Sequence, residues 1–488
     1  MSDLGPHDYR ELITGALKTA RDADTTDPGI GTLFTPDSHR LALDPDVTVV
    51  QGARGTGKTY WSKALQNDDL REFAASAYEI GSLNHVTVLS GFGNERSPEQ
   101  YPGPAVLGRL LDKRSDPMNI WTAVLLKALG EPSVAGISDW EERAGWVAQN
   151  PEALERALHA ADQRAREDDR TVLMIFDALD RLHARRSEAD RLVDGILRLA
   201  LDLRLASRFL RAKVFIRPDM LSSAPMNFAD SSKLTANTSN LTWSAQNLYG
   251  LAFHQLGNGP EPFAERFRER HLGWQQQLNG RRFEPPRDIV GDRDRQREIF
   301  TEIAGPYMGT NRRRGHTYSW LPNHLMDGDE QVSPRSFLSA LATAAERTRT
   351  EHSGHEYALH YDGIRAGVQK ASTTRVDEIK EDIPWVAEAA SLLDGMQVPA
   401  EESAVTQRWE AASLLERLQS PAVEDADDDA PVRTGPEAKT DRELVSELMT
   451  LGVMTRRADG RVDLPDVYRI AFNIGRKGGV PRVLPSSR

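Results

Sequence analysis

The stretch Gly52-Ala53-Arg54-Gly55-Thr56-Gly57-Lys58-Thr59 follows directly after the apolar run Val47–Val50. It has the form G-x-x-x-x-G-K-[ST], in which glycines let successive backbone N–H groups converge on phosphate oxygens. Lys58 then faces the β- and γ-phosphates, and the Thr59 hydroxyl can hold Mg²⁺. A helix is expected from Tyr60 to Leu65, and a glycine-rich surface turn is the alternative. The context predicts a site for ATP and Mg²⁺ formed by Gly52, Arg54, Gly55, Thr56, Gly57, Lys58 and Thr59.

The composition is ordinary for a globular protein with a sizeable core, with 39% hydrophobic and 27% charged residues among 488. The net charge of -12 argues against nucleic-acid coating by the whole surface, although local basic patches remain open. No window reaches the roughly 18 apolar residues of a membrane span, and the N-terminus lacks the features of a signal peptide. Because there is no cysteine, disulfides and thiolate zinc sites are excluded. We expect a cytoplasmic protein without membrane contact.

Further apolar runs end in polar residues that suit a nucleotide site. Thr171–Phe176 is continuously apolar and ends in Asp177, the form of a central strand in a parallel sheet covered on both faces. His85–Leu89 and Ala212–Ile216 are typical of further strands, and Arg217 follows the second of them. Helical patterns separate these runs, so the sequence predicts an α/β fold with a P-loop core and a parallel sheet. Its ligands would lie at the carboxyl ends of the strands.

Asp177 is the predicted Mg²⁺ carboxylate opposite Thr59, and a helix N-cap is the alternative role. Asp180 could orient or deprotonate the attacking water, or it could be an ordinary carboxylate of a first helical turn. Ala178 occupies the position where many ATPases carry a glutamate directly after the aspartate. We therefore expect slow hydrolysis.

Two arginines are predicted to respond to the nucleotide. Arg217, at the end of a strand, could contact the γ-phosphate, with a surface salt bridge as the alternative. Arg335 opens a helix, where a positive charge is unfavourable and an anion should compensate it. That anion is either the nucleotide or a neighbouring carboxylate.

The order of these motifs resembles a known family. The Gly52–Thr59 loop, the D-A-L-D-R-L stretch at Asp177–Leu182, the F-I-R-P-D-M-L stretch at Phe215–Leu221 and the helix start at Pro334-Arg335 are similar to those of AAA+/STAND P-loop ATPases, especially prokaryotic KAP-like and conflict-system ATPases. The resemblance covers residues 33–345. It implies a nucleotide-dependent switch, usually oligomeric, with a helical lid, and it suggests antiviral defence against phage or plasmids.

Other P-loop classes agree less well with the sequence. A GTPase would need an Asn-Lys-x-Asp element, and the chain contains no Asn-Lys dipeptide. A small-molecule kinase is usually compact, whereas residues 217–488 follow the last apolar core run. The extra length favours a regulated protein.

The C-terminal region is predicted to form a separate module. Pro421–Lys439 is acidic and proline-containing, so we expect a disordered linker. Leu444–Leu451 predicts a helix, and Met454–Ala458 and Arg461–Leu464 predict strands joined by Asp459-Gly460, a strong hairpin signal. Helix plus hairpin resembles a winged-helix module. Its basic residues suit DNA phosphates, although contact with a protein is the preferred interpretation: Arg456, Arg457, Arg461, Arg469, Arg476, Lys477 and Arg482.

Two smaller clusters attract attention. Arg312-Arg313-Arg314 is either a solvated loop, the preferred interpretation, or a contact with another subunit or nucleic acid. His352, His355 and His360 lack further metal-binding residues at a spacing that would predict a metal site.

Six segments follow from these patterns: an N-terminal helical extension (1–32), the ATPase core (33–258), a helical lid (259–375), a helical segment (376–420), the acidic linker (421–440) and the winged-helix-like module (441–488). The predicted function is an ATP-hydrolysing switch that controls a protein effector or operon partner and assembles as a homo-oligomer. The alternative is a nucleotide-binding, DNA-associated regulator without significant turnover. The two differ in ATP-dependent assembly and in salt-dependent DNA binding.

Overall fold

The computed structural model describes residues 4–18, 27–419 and 435–477. The described chain divides into two compact units. The sheet unit is Asp27–Thr242, and the helical unit comprises residues 4–18, 243–419 and 435–477. The sequence predicts that the core ends at residue 258, whereas the boundary between the two units of the structure lies between Thr242 and Trp243.

The sheet unit contains five parallel strands in the spatial order β2-β3-β4-β1-β5. This confirms the predicted parallel α/β fold. Strand β4 lies between β1, which precedes the Gly52–Thr59 loop, and β3, which precedes Asp177. The strands are β1 (Val49–Gln51), β2 (Val86–Phe92), β3 (Thr171–Phe176), β4 (Leu210–Ile216) and β5 (Thr238–Asn240).

Alternate residues of the central strand face opposite sides of the sheet, and helices cover both sides. Met174 and Phe176 pack into one hydrophobic cluster, whereas Leu173 and Ile175 pack into another. Double coverage is the reason that β3 is continuously apolar. The helices are α2 (Arg40–Leu43), α3 (Lys58–Gln66), α4 (Asp68–Ala77), α5 (Pro104–Asp112), α6 (Pro117–Ala128), α7 (Pro132–Ala135), α8 (Trp140–Gln149), α9 (Pro151–Glu167), α10 (Arg186–Ala206), α11 (Pro218–Ser223) and α12 (Ser232–Ala236).

The helical unit begins with α1 (Pro6–Ala16) and continues after the sheet unit. Its central pair is α18 (Pro334–Glu351) with α19 (Tyr361–Asp382). These helices approach closely because Gly363 and Gly367 of α19 lack side chains. A Cβ at Gly363 would lie 2.8 Å from the Ala344 carbonyl oxygen. The first part of the unit contains α13 (Ala245–Gly257), α14 (Phe263–Arg270), β6 (Gln275–Gln277), β7 (Arg282–Glu284), α15 (Arg287–Gly291), α16 (Arg293–Ala304), α17 (Thr317–Leu325), α18 (Pro334–Glu351) and α19 (Tyr361–Asp382).

The last part of the helical unit joins two segments that the sequence analysis separates. One hydrophobic cluster takes residues from both 376–414 and 438–474. The strands also cross the boundary, since β8 pairs with β11 and Ala400 bridges Val462. The elements are α20 (Pro384–Ser391), β8 (Gln397–Val398), α21 (Glu402–Ala411), α22 (Leu414–Gln419), α23 (Asp441–Thr450), β9 (Thr455–Arg456), β10 (Val462–Asp463), α24 (Asp466–Arg469) and β11 (Gly475–Arg476).

The predicted hairpin is present as the antiparallel pair β9–β10, but it is not a self-contained module, because its apolar side is buried against the earlier helices. Most of the predicted acidic linker, residues 421–434, lies outside the described residues. Its described end does not behave as a solvated linker, since Ala438 is buried in the shared cluster.

In the part of the chain that the structure describes, no helix combines the length and apolar character that a membrane span requires.

Candidate nucleotide site

The loop between β1 and α3 has a backbone that requires glycine. Gly55 and Gly57 have φ values of 75° and 107°, a region that other residues rarely adopt. A Cβ at Gly52 would collide with the Thr56 side chain and lie 3.3 Å from Cγ of Lys58. Gly57 occupies the N-cap position of α3, so the loop leads directly into a helix N-terminus. Such a turn presents backbone N–H groups to an anion.

Lys58 lies inside this loop. Its Nζ donates hydrogen bonds to the carbonyl oxygens of Gly52 at 2.7 Å and Ala53 at 3.0 Å. Burial lowers the pKa of Lys58 to about 8; nearby Asp177 opposes this effect and nearby Arg217 adds to it. The ammonium group is thus held at the phosphate loop in a setting that an anion would stabilise.

Asp177 ends β3 at the same sheet edge and is almost completely buried, with 3% of its surface exposed. Its carboxylate accepts hydrogen bonds from the Thr59 hydroxyl and from the Ala178 N–H. Burial raises the pKa of Asp177, although these two hydrogen bonds act in the opposite direction. Its Oδ1 atom has no hydrogen-bond partner among the described residues.

A buried carboxylate oxygen without a partner, beside a hydroxyl group, fits a hard divalent cation. Mg²⁺ takes oxygen ligands and is usually bound by one or two protein groups together with phosphates. Thr59 and Asp177 are therefore the residues that would hold Mg²⁺. Asp177 is not the cap of the following helical turn, because Ala178 occupies that position with φ 57°.

Asp180 lies in the short 3₁₀ turn Leu179–Arg181 and is exposed to solvent. Its negative charge raises the pKa of both Lys58 and Asp177, so it lies within electrostatic range of the site. A role in orienting water stays a prediction.

Arg217 ends β4 and forms a fork-shaped ion pair with Asp219. Its Nε and Nη2 atoms lie 2.9 and 3.0 Å from the two carboxylate oxygens. Asp219 also accepts from Arg186 at 3.2 Å, and although burial raises the pKa of Asp219, the two arginines lower it overall. The salt bridge weighed in the sequence analysis is present, but it is buried rather than superficial. Contact of Arg217 with a γ-phosphate remains a prediction.

Arg335 belongs to the helical unit, in the first turn of α18. Its Nη1 lies 3.3 Å from Oε1 of Glu378 on α19. Of the two anions that the sequence allows, the structure shows the neighbouring carboxylate.

A cleft of about 420 Å³ opens beside Thr59 and Asp177. Its wall includes Lys63 of α3 and Glu95, which follows β2. Lys63 pairs with Asp27 at 2.6 Å and lies 3.9 Å from Glu95. The Tyr101 hydroxyl donates to the Glu95 carbonyl at 2.6 Å and fixes the backbone there.

Sequence reasoning missed Glu95. A signal was present, because Glu95 follows the predicted strand His85–Leu89 by six residues, and the observed strand β2 by three, at the same end of the sheet as Asp177. A larger cavity of about 930 Å³, between residues 113 and 150, has none of the predicted site residues in its wall.

The described C-terminal arginines differ from Lys58 in having carboxylate partners. Arg461 pairs with Asp459 at 2.6 Å, and Arg469 and Arg476 pair with Asp466 at 2.8 and 3.0 Å. Arg456 pairs with Glu402, and Arg457 pairs with Asp463. Lys477 is exposed, and Arg482 lies outside the described residues.

Comparisons with known proteins add little to this geometry. No protein-family model matches the chain, and no curated protein sequence matches it. Solved structures of three archaeal proteins show weak likeness.

The ORC2 protein of Aeropyrum pernix in ADPNP–ADP complexes is 15% identical, with 94% of this chain and 92% of that chain covered and a TM-score of 0.28. The ORC1 protein of Aeropyrum pernix in complex with DNA is 16% identical, with 89% of this chain and 90% of that chain covered and a TM-score of 0.32. Cdc6p from Pyrobaculum aerophilum is 11% identical, with 87% of this chain and 84% of that chain covered and a TM-score of 0.29. At these TM-scores the likeness carries no argument about function. The fold assignment rests on the sheet and loop described above.

Proposed function

We propose that this protein is an ATP-binding switch of the AAA+/STAND type that hydrolyses ATP slowly with Mg²⁺ and controls a partner or effector protein. One observation carries the proposal: the Gly52–Thr59 loop, the Thr59 hydroxyl and the partly unsatisfied carboxylate of Asp177 meet at one edge of a parallel sheet. No other described cluster combines an anion-binding loop with a cation-binding pair.

In this proposal the loop N–H groups hold the phosphates of ATP, and Lys58 turns from the Gly52 and Ala53 carbonyls to the β- and γ-phosphate oxygens. Bound Mg²⁺ would neutralise charge on those oxygens as it develops. A water molecule attacks the γ-phosphorus, the bond to the β-phosphate oxygen breaks, and Glu95 or Asp180 accepts the proton of the water. Ala178 cannot accept a proton, which supports slow turnover.

The switch would use the ion pairs at the end of β4. A γ-phosphate that attracts Arg217 competes with Asp219, and Asp219 is held in turn by Arg186 of α10. The nucleotide state would thereby alter the contacts between the β4 edge and α10. Homo-oligomeric assembly and a role in antiviral defence are part of the proposal on the strength of the sequence resemblance alone, and a cytoplasmic location is part of it on the strength of the sequence composition.

Calorimetry with ATP and Mg²⁺, followed by light scattering with a slowly hydrolysed ATP analogue, tests this function. We expect binding in the first experiment and nucleotide-dependent assembly in the second. ATP binding without any change in assembly or in partner binding would contradict the proposed switch, but it would leave the proposed nucleotide site in place. A protein that does not bind ATP would contradict both.

The second candidate is a DNA-associated regulator. The ion pairs in the structure favour a DNA-contact surface other than the C-terminal module. The C-terminal arginines are paired with carboxylates, and α23 carries three acidic residues and one arginine. By contrast, Arg312, Arg313 and Arg314 are all exposed and form no ion pair with any described residue. If DNA binds, we propose that it binds at this arginine turn.

A further inference from the structure

The connection between α18 and α19 brings together histidines that the sequence analysis discounts. His352 follows α18 directly, and His360 caps the start of α19. Their rings stack with centroids 3.8 Å apart, and the ring of His355 stands edge-on to His360 at 4.6 Å. Asp362 adds a carboxylate whose Oδ2 lies 3.7 Å from Nδ1 of His360. Donor atoms of His352, His360 and Asp362 all lie within 4.8 Å of one another.

A buried arginine fixes the loop that carries these rings. Arg10 of α1 is 3% exposed and donates to the carbonyl oxygens of Ser353, His355, Tyr357 and Ala358, at distances from 2.8 to 3.2 Å. The Thr348 hydroxyl accepts the His360 N–H at 2.9 Å. The histidines therefore project from a backbone held at both ends and in the middle, which lowers the entropy cost of gathering them around a ligand.

The Asp362 carboxylate is partly committed to a neighbouring arginine. Arg365 bonds one oxygen of Asp362 at 2.8 Å, which leaves the other oxygen directed to His360.

We propose that His352, His360 and Asp362 form a binding site for a divalent transition metal of the zinc class, with His355 as the fourth donor. Imidazole nitrogen and carboxylate oxygen are ligands that Zn²⁺ accepts at about 2.0–2.2 Å, so tetrahedral donors lie about 3.3 Å apart. Metal binding would require the side chains to rotate from their present positions, in which the three donor atoms lie within 4.8 Å of one another and Nδ1 of His360 accepts the Asp362 N–H at 3.2 Å. The metal links the end of α18 to the start of α19.

Zinc titration by calorimetry of the full chain, freed of any affinity tag and nucleotide and kept in excess Mg²⁺, tests the site. We expect one zinc ion per chain. The variants His352→Gln, His360→Gln and Asp362→Asn should each bind zinc more weakly by at least the roughly 10- to 100-fold that loss of a residue supporting a ligand costs. Co²⁺ in place of zinc should give the intense visible absorption of a tetrahedral complex, and the same variants should remove it.

Two matched variants serve as controls. His85→Gln removes an exposed histidine beside a carboxylate, Asp169 at 3.5 Å, outside the cluster, and should leave zinc binding unchanged. Asp177→Asn should also leave it unchanged, which separates this site from the nucleotide site. Absence of zinc binding by the wild type would overturn the proposal, as would unchanged affinity in the cluster variants. If a histidine variant fails to fold, the zinc affinity of Asp362→Asn and the Co²⁺ spectrum of the wild type test the proposal instead, because both measurements keep all three histidines.

Discussion

The nucleotide loop and the C-terminal module both concentrate charged residues, but they satisfy those charges differently. At the loop, Lys58 bonds only to backbone carbonyls and Oδ1 of Asp177 has no hydrogen-bond partner among the described residues. In the module, each of the six described arginines faces a carboxylate of the same chain. The first arrangement gains stability when an anion and a cation bind, whereas the second is already neutralised.

The comparison separates two meanings of a basic or acidic cluster. A charge that is buried without a full set of partners is costly, so its persistence indicates a ligand. A charge that already has a carboxylate partner, as in the module, requires no ligand. Five predictions follow the contrast from its largest expected effect to its smallest.

Replacement of Lys58 by Ala should remove high-affinity ATP binding, because the variant loses the only lysine in the phosphate loop. Calorimetry measures the effect directly. Lys113→Ala, which removes an exposed lysine paired with Glu141 at 2.7 Å, is the matched control and should bind ATP normally. Equal affinities in wild type and Lys58→Ala would place the nucleotide elsewhere.

Replacement of Glu95 by Gln should lower ATP turnover by about 100-fold or more if Glu95 is the proton acceptor, while ATP binding is retained. Glu99→Gln alters the same loop four residues later, where the side chain is 94% exposed and faces Lys127, and should leave turnover unchanged. Asp180→Asn provides the competing assignment. A larger loss in Asp180→Asn than in Glu95→Gln would transfer the role to Asp180.

Replacement of Asp177 by Asn should remove Mg²⁺-dependent turnover, leave ATP binding largely intact and raise thermal stability in Mg²⁺-free buffer. The sign follows from the raised pKa of Asp177: the folded state binds this proton more tightly than the unfolded state, so the ionised carboxylate destabilises the fold as pH rises through that range. The asparagine has no such cost. Differential scanning calorimetry at neutral pH measures the shift, and a lower melting temperature would contradict it.

The affinity for ATP should fall as pH rises above about 8, because the pKa of Lys58 is lowered to about 8 and its protonated form faces the phosphates. The decrease approaches about tenfold per pH unit, the limit for one proton. Lys58→Arg keeps a permanent charge and should show a flatter profile between neutral and alkaline pH. Parallel profiles for the two proteins would remove Lys58 from the pH dependence.

The smallest effect concerns DNA. Alanine substitution of Arg457 and Arg461 should change DNA affinity little, since both arginines already pair with carboxylates. Substitution of Arg312, Arg313 and Arg314 should weaken any binding and reduce its salt dependence by up to about three phosphate contacts. Fluorescence anisotropy at several salt concentrations measures both. The reverse ranking would restore the C-terminal module as the DNA contact.

Much of the nucleotide site could be predicted from the sequence, because it is built from local signals. The glycines, Lys58 and Thr59 lie within one loop, and Asp177 directly follows a strand whose continuous apolar character marks the centre of a sheet. The parallel α/β fold follows from the same runs. Glu95 was missed because its place in the same cleft as Asp177 depends on the adjacency of β2 and β3, a long-range pairing.

The C-terminal module shows the limit of local reasoning. The hairpin turn at Asp459-Gly460 is a local signal and was predicted, but the partner of its apolar side lies before residue 415. Sequence spacing across an acidic segment cannot indicate that the two sides share one core. The same limit explains the arginines, whose neutralising carboxylates come partly from distant residues such as Glu402.

The sequence by itself determined the glycine-rich loop Gly52–Thr59, the position of Asp177 directly after a buried strand and the class of fold, since each depends on neighbouring residues and on the pattern of apolar side chains. Tertiary structure alone decided which charges are satisfied. Arg335 meets Glu378, Arg217 meets Asp219 within a buried network, and His352 and His360 meet Asp362. The physical reason is that Coulomb and hydrogen-bond energies depend on distance in space, and chain separation does not fix that distance until the core has packed.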